Sequence, residues 1–390
     1  MSAASGPPAA PSALDATASA RVGFVGAGQL ARMTQRAAID LGVSLSVLAT
    51  APDEPAVLAG ATAVLGAPDD PAALASLADA VDVVTLDHEL VDGGHLTALL
   101  EAGHLVRPGP ATLRFAQDKL YARRQLAARG FPTPAFAEVG GVDEVEAFAA
   151  DHGWPVVLKA RSGGYDGRGV VVAPDAAEAG EVLAAGGEWL VEEHVALATE
   201  LAVVLARGPD GGHVTYPVVE TVQDDGICVE LVMPARVDAR LAAAAEELAV
   251  GVAGAIDAVG ILAVELFVDT AGRLSVNEVA VRPHNSGHAT IEGSDTSQFH
   301  NHLRAVLGWP LGSTRMRVPV AATVNLLGGE AATSLAERLP RALADDRVHP
   351  HLYGKAWRPG RKLGHVTALA DDPDTALAAA RRAAATLMDP

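Results

Sequence analysis

The chain has 390 residues, 49% hydrophobic and 20% charged, enough to bury a sizeable core divided among two or three domains. Its 29 Lys and Arg stand against 48 Asp and Glu, and the net charge of −19 repels nucleic acid and anionic lipid over most of the surface, so any anion site must be a local basic pocket. A lone cysteine, Cys228, excludes an internal disulfide or a thiolate zinc cage and suits a reducing compartment, the cytoplasm.

Residues 1–20 are Ala, Ser and Pro without a basic start or a sustained apolar core, and read as a disordered tail. From Val22 the pattern runs strand, Gly26-Ala27-Gly28 turn, helix from about Gln29, strand 43–49, then strand 81–86, which is βαβ grammar with a parallel sheet. The turn fits a G-x-G-x-x-A fingerprint, in which glycines let a phosphate approach a helix N-terminus. A nicotinamide cofactor also wants an acidic residue closing the second strand. That strand ends in Ala49-Thr50-Ala51-Pro52, with Asp53 only past the proline, which favours a structural turn or one touching another ligand.

After a helix over 119–128, Gly130-Phe131-Pro132-Thr133-Pro134 marks entry into a second α/β unit. Strand 156–159 runs through Lys159 into Ala160-Arg161-Ser162-Gly163-Gly164-Tyr165-Asp166-Gly167-Arg168-Gly169, and 170–172 is a strand again. A Walker loop leads into a helix and carries Gly-Lys-Ser/Thr; this loop does neither and reads as a hairpin flap. Its glycines expose N–H groups to phosphate oxygens, and Lys159 supplies a point charge.

The apolar run 248–268 is interrupted by Asp257 and Glu265 and switches from helical to alternating, so it reads as a buried helix followed by a strand and not as a membrane span. Strand 261–268 and strand 274–279 make a hairpin. If its turn is centred between Ala271 and Gly272, Glu265 faces Glu278 directly. Opposed like charges destabilise a sheet unless a cation lies between them. Magnesium favours one or two carboxylates plus nucleotide phosphates, with Asn277 as a further ligand or a nucleotide contact. A bulge would shift the register by one and leave one glutamate facing solvent or an arginine.

Directly after Glu278 comes Arg282-Pro283-His284-Asn285-Ser286-Gly287-His288, a donor-rich loop suited to an oxyanion beside the metal. Beyond Trp309-Pro310 short strands dominate, and Lys355 to Lys362 concentrates four permanent cations in a glycine-punctuated stretch, suited to a phosphate monoester.

Taken together, Gly-Gly-Tyr-Asp-Gly-Arg-Gly at 163–169, Glu265, Asn277-Glu278, the 282–288 loop and Gly-Arg-Lys-x-Gly-His at 360–365 resemble the 5-(carboxyamino)imidazole ribonucleotide synthase family of the ATP-grasp superfamily, over roughly residues 21–370. The resemblance implies an α/β (α+β) ATP-grasp fold: an N-terminal Rossmann-like pre-ATP-grasp domain at 21–112, an ATP-grasp domain at 113–310 with a flap subdomain at about 135–191, and a small, mostly β C-terminal domain at 311–390. It implies ATP and magnesium, two ions, as cofactors, with bicarbonate and 5-aminoimidazole ribonucleotide as substrates in purine biosynthesis, and a cytoplasmic homodimer.

By position, Arg114, Lys119 and Lys159 would contact nucleotide phosphates, Gly164, Tyr165, Gly167 and Gly169 would close over them, Glu192, Glu193, His194 and Val195 would form the adenine hinge, and Glu200 would take the ribose. Glu265 and Glu278 would bind metal, and Arg282, His284 and Asn285 bicarbonate. Tyr165, Asp166 and Arg168 would line the acceptor, with Gln29, Leu30, Glu89, Ser286, Lys355, Arg361 and Lys362 on its side. Two departures stand out. The family's Thr-x-Glu-x-Glu followed by Asn or His reads here Thr85-Leu86-Asp87-His88-Glu89-Leu90, and Val281 stands where proline is common. The alternatives are another ATP-grasp activity, such as formate-dependent glycinamide ribonucleotide transformylase or biotin carboxylase chemistry, a nicotinamide-dependent dehydrogenase, and a nucleotide-binding sensor without turnover.

Overall fold

The computed structural model describes residues 19–163, 169–224 and 226–388; the proposed tail up to residue 18 lies outside the described residues. Ala20, which the sequence reading placed in the tail, is buried, and its carbonyl accepts from the Ser44 amide at 2.8 Å.

Among the described residues, Arg21–Val25, Ser44–Ala49, Thr62–Leu65 and Val83–Leu86 form a parallel sheet with Arg21–Val25 flanked by Ser44–Ala49 and Val83–Leu86. Val22, Phe24 and Val25 are wholly buried because helices cover both faces, as all-parallel sheets require. Gly23 is needed where the sheet meets helix Pro71–Asp79, since a Cβ there would lie 3.0 Å from Val81 and 3.1 Å from Leu77. Helix Gln29–Leu41 ends at Gly42, whose left-handed φ of 65° lets its amide satisfy the last carbonyls.

The flap is an antiparallel sheet of Phe136–Val139, Trp189–Glu193, Val156–Ala160 and Val170–Ala173, backed by helices Val142–His152 and Ala176–Ala184. Val156–Ala160 and Val170–Ala173 pair directly, so the glycine loop joins two hairpin strands, as the missing Walker signature suggested.

The largest sheet runs Leu274–Ala280, Gly260–Asp269, Leu197–Arg207, Val219–Asp224, Ile227–Met233, Val320–Leu327, Lys362–Ala370, Val348–Leu352, with His213–Thr215 added to Leu197–Arg207. The helix-to-strand reading of 248–268 matches helix Ala239–Ala255 and strand Gly260–Asp269. The C-terminal strands do not form a sheet of their own: Ile227–Met233 pairs with Val320–Leu327, so hydrogen bonding runs on past residue 310. Helix Pro373–Met388 buries Leu377, Ala380, Ala383 and Leu387, closing this part of the core. No helix among the described residues is long and apolar enough to cross a membrane.

Candidate active site

A cleft of about 2310 Å³ lies between the N-terminal sheet, the flap and the large sheet. The hairpin at its floor carries the opposed glutamates, and its register is reached by an unexpected route. Asp269 accepts from the Ala271 and Arg273 amides at 2.9 Å each, folding an Asx-type turn centred on Ala271, with Gly272 at φ 76°. Near the tip Val268, Phe267 and Leu266 therefore face Leu274, Ser275 and Val276, which alone would oppose Glu265 to Asn277. A bulge between Glu265 and Leu266 takes up Asn277 and restores the Glu265–Glu278 pair.

The opposed charges divide their surroundings. Burial pushes the Glu265 carboxyl up, with Glu278 and Glu200 adding repulsion, while the Lys119 ammonium, 2.9 Å from Glu278, holds that carboxyl down. Two carboxylates beside an amide suit magnesium, which completes its shell with water and phosphate oxygens, and no cage of three or more His, Cys, Asp or Glu forms among the described residues.

On the flap side, Glu192 is buried between Arg123, at 2.6 Å, and Lys159, at 2.7 Å. Burial would raise its carboxyl, but the two cations outweigh that and hold it at about 2. Lys159 also donates to Asn277 Oδ1 at 3.1 Å, tying the flap strand to the bulge. The Glu192 side chain, expected at the adenine hinge, is thus the counter-ion of Lys159, and Glu193 accepts from the Ala135 amide at 2.9 Å. His194 and Val195 line the cleft, as does Glu200, whose carboxyl burial raises. Arg114 stands on the wall over the Tyr121 ring at 4.0 Å. Arg123 was not singled out in the sequence, because a helical arginine gives no sign of a partner 69 residues away.

On the opposite side, Ser286 N donates to His284 Nδ1 at 3.3 Å, and His284 Nε2 lies 3.4 Å from Glu265 Oε1. Ser286 is buried off the wall, and its Oγ lies 2.8 Å from His284 Nδ1, so it supports His284 and does not line the acceptor space. Arg282 Nε lies 2.8 Å from Glu89 Oε1, joining the loop to the N-terminal domain. Lys355 donates to Gln29 Oε1, bringing two expected acceptor-side residues together from opposite ends of the chain. Asn285 and Lys362 are also on the wall, and Leu30 meets it while packing into the N-terminal core. Arg361 is not on the wall; its guanidinium donates to Ala356 O at 3.1 Å within its own turn. Gly169 closes the flap hairpin through its carbonyl to Ala160 N at 2.7 Å. Gly164, Tyr165, Asp166, Gly167 and Arg168 lie outside the described residues.

Family models match in chain order: a ribonucleotide synthetase preATP-grasp domain at 19–117, an ATP-grasp domain at 124–299 and a phosphoribosylaminoimidazole carboxylase C-terminal domain at 321–379. The N5-carboxyaminoimidazole ribonucleotide synthase of Mycobacterium bovis is 48% identical over 361 residues, covering 90% of this chain and 84% of that one. The chain belongs to the N5-carboxyaminoimidazole ribonucleotide synthase family. Its relative from Corynebacterium ammoniagenes is 41% identical, covering 94% of this chain and 92% of that protein. The fold agrees with the family's solved structures: the Thermotoga maritima synthetase superposes with a TM-score of 0.84 at 36% identity, covering 95% and 99% of the two chains. The Aspergillus clavatus synthase in complex with ADP and 5-aminoimidazole ribonucleotide gives 0.88 at 32%, covering 95% and 98%.

The departure at 85–90 from the N5-carboxyaminoimidazole ribonucleotide synthase pattern has a local explanation. Asp87 accepts from Gly28 N at 2.9 Å and Ala31 N at 2.7 Å, so a carboxylate of the chain itself occupies the amides that a dinucleotide phosphate would need. Gly28 must be glycine because a Cβ would lie 2.4 Å from Asp87 Oδ2. Gln117 Nε2 donates to both Glu89 O and Val91 O at 2.7 Å, holding the segment after strand Val83–Leu86 so that Glu89 meets Arg282 while Leu90 is 62% exposed.

Proposed function

We propose that this chain joins bicarbonate to the exocyclic amine of 5-aminoimidazole ribonucleotide at the expense of ATP, giving 5-(carboxyamino)imidazole ribonucleotide, ADP and phosphate in purine biosynthesis. The observation that carries this reading is the Glu265–Glu278 pair, flanked by Lys119 and Lys159 on one side and by Arg282 and His284 on the other, in one cleft.

Arg114, Lys119 and Lys159 hold the nucleotide phosphates, the 192–195 segment the adenine and Glu200 the ribose, under a flap tip of Gly164, Tyr165, Gly167 and Gly169. Lys119 leaves Glu278 for a phosphate oxygen as the nucleotide enters, which exchanges one charge-assisted hydrogen bond for another. Two magnesium ions on Glu265 and Glu278, with Asn277 beside them, would neutralise phosphate charge and act as Lewis acids. Arg282, His284 and Asn285 fix bicarbonate so that one of its oxygens attacks the terminal phosphorus while the bond to ADP breaks. The resulting carboxyphosphate releases phosphate and carbon dioxide beside the bound amine, whose nitrogen forms the new N–C bond and gives up a proton. This step needs water excluded and the amine held close. Asp166, Arg168 and Tyr165 line the acceptor with Glu89 and Gln29, and Lys355 and Lys362 neutralise its phosphate. The enzyme works as a homodimer in the cytoplasm.

The test is phosphate release from ATP, magnesium and bicarbonate, with and without 5-aminoimidazole ribonucleotide. Release that rises on adding the ribonucleotide, with one carboxylated product per phosphate, is expected; release independent of it overturns the assignment.

A further inference from the structure

The motifs at 282–288 and 360–365 each end in a histidine that the proposed reaction leaves without a role, His288 and His365. The structure brings the two together. Their rings stack with centroids 4.5 Å apart and planes inclined by 24°, and His365 stacks in turn on His351 at 4.5 Å and 19°. Strand register sets the lower part of the column, because Asn325, His365 and His351 are cross-strand partners and so share one sheet face. The 282–288 loop then lays His288 on top, with Phe299 beyond it at 6.1 Å.

The column is anchored at its edges. Tyr353 Oη lies 2.7 Å from His365 Nδ1, and His351 Nε2 lies 2.8 Å from Glu292 Oε1. His288 and His365 are 1% and 0% exposed, and burial pushes both imidazoles well below their ordinary range, so neutral rings face each other without repulsion. Among the described residues, His288 Nδ1 and His365 Nε2 have no hydrogen-bond partner. Leaving buried polar atoms unpaired is unfavourable, and an aliphatic pair would fill the same space without that penalty. The column joins two walls of the cleft: His288 closes the loop of Arg282 and His284, Tyr353 precedes Lys355 by two residues, and Lys362 begins the strand that carries His365.

We propose that the His288–His365 stack is a positioning element that couples the Arg282–His284 wall to the Lys355–Lys362 wall, so that a phosphate monoester bound at one orders the oxyanion site at the other. This rests on the carboxylation reading above. Neither histidine touches the reacting atoms; both act through the residues they hold.

The test uses the full-length protein and compares wild type with His365→Leu, which removes the flat stacking face, and His365→Phe, which keeps it. In the Leu variant ADP affinity stays within about twofold, whereas KM for bicarbonate and for the ribonucleotide rise about tenfold, the scale of coupling between residues in contact. The ratio of phosphate released to carboxylated product also climbs above one, and Phe restores it. A folded Leu variant with unchanged KM values and ratio overturns the proposal. A second measurement needs no variant: ribose 5-phosphate, which carries the phosphate monoester without the imidazole, should slow amide exchange at 282–288 in wild type, and unchanged exchange there overturns the proposal whatever the variants do. Wild type without ribonucleotide-dependent phosphate release would instead overturn the carboxylation reading, so the two failures are distinguishable.

Discussion

Two glycine-rich turns invite comparison. Gly26-Ala27-Gly28 delivers the chain to the N-terminus of helix Gln29–Leu41, the position from which many α/β proteins bind phosphate, yet Asp87 already accepts from its amides. The 161–169 hairpin leads to no helix, but it springs from Lys159 on the cleft wall. Glycines permit close approach at both places; the charge fixed beside them decides whether a phosphate can use it. A carboxylate of the chain closes the first, whereas a lysine paired with Glu192 stands beside the second, where the proposed phosphate contact lies.

The largest expected effects break the second region. Glu192→Ala would leave Arg123 and Lys159 buried with no carboxylate between them, a change that destabilises by about 3–5 kcal/mol. Urea titration would read it as a lower midpoint; an unchanged midpoint would mean the cluster adds nothing to stability. Lys159→Met should weaken ATP binding about tenfold or more, the scale of a lost charged hydrogen bond, measured by calorimetry. At the first turn, Asp87→Ala removes a cap and should lower stability by about 1–2 kcal/mol. Added sulfate should then raise the melting temperature of that variant more than that of wild type, since the freed amides can take an anion. Equal shifts would show that Asp87 does not keep the site closed.

The join between the N-terminal sheet and the glutamate strand gives an effect of similar size that appears only as the pH falls. His302 Nδ1 accepts from Ile261 N at 3.1 Å, so its Nε2–H faces Thr85 Oγ1 at 2.9 Å, linking the N-terminal sheet to the glutamate strand. Burial lowers this imidazole from 6.5 to about 3. The unfolded chain therefore takes up the proton first, and the stability due to His302 is full above pH 6.5 and lost as the pH falls towards 3. By pH 5 the loss is about 2 kcal/mol. His302→Gln should flatten that slope between pH 7.5 and 5 in urea titrations; an unchanged slope would assign it to other groups.

Much of this was legible because it is local. Alternation, glycine punctuation and the helix-to-strand switch before Glu265 set the elements, and the loop compositions pointed to the cleft. The Glu265–Glu278 pairing was inferred from a symmetric turn, whereas the structure makes it with an Asx turn and a bulge whose offsets cancel. What could not be read depends on contacts distant in sequence. Asp87 looked like a departure from a family pattern until Gly28 and Ala31 donated to it. Arg123 looked like an ordinary helical arginine, and the His288–His365 stack needed strand register that no local pattern carries. Likewise, the chain's short strands after residue 310 gave no sign that they would extend the sheet already built.

The most direct measurement follows phosphate and carboxylated ribonucleotide together in wild type and Glu278→Gln, with cooperative unfolding as the control for folding. The account predicts one product per phosphate in wild type and a loss on the order of 10²–10³-fold in the variant, the scale of removing a preorganised charge partner from a reacting site. A folded Glu278→Gln protein that keeps its turnover would contradict it.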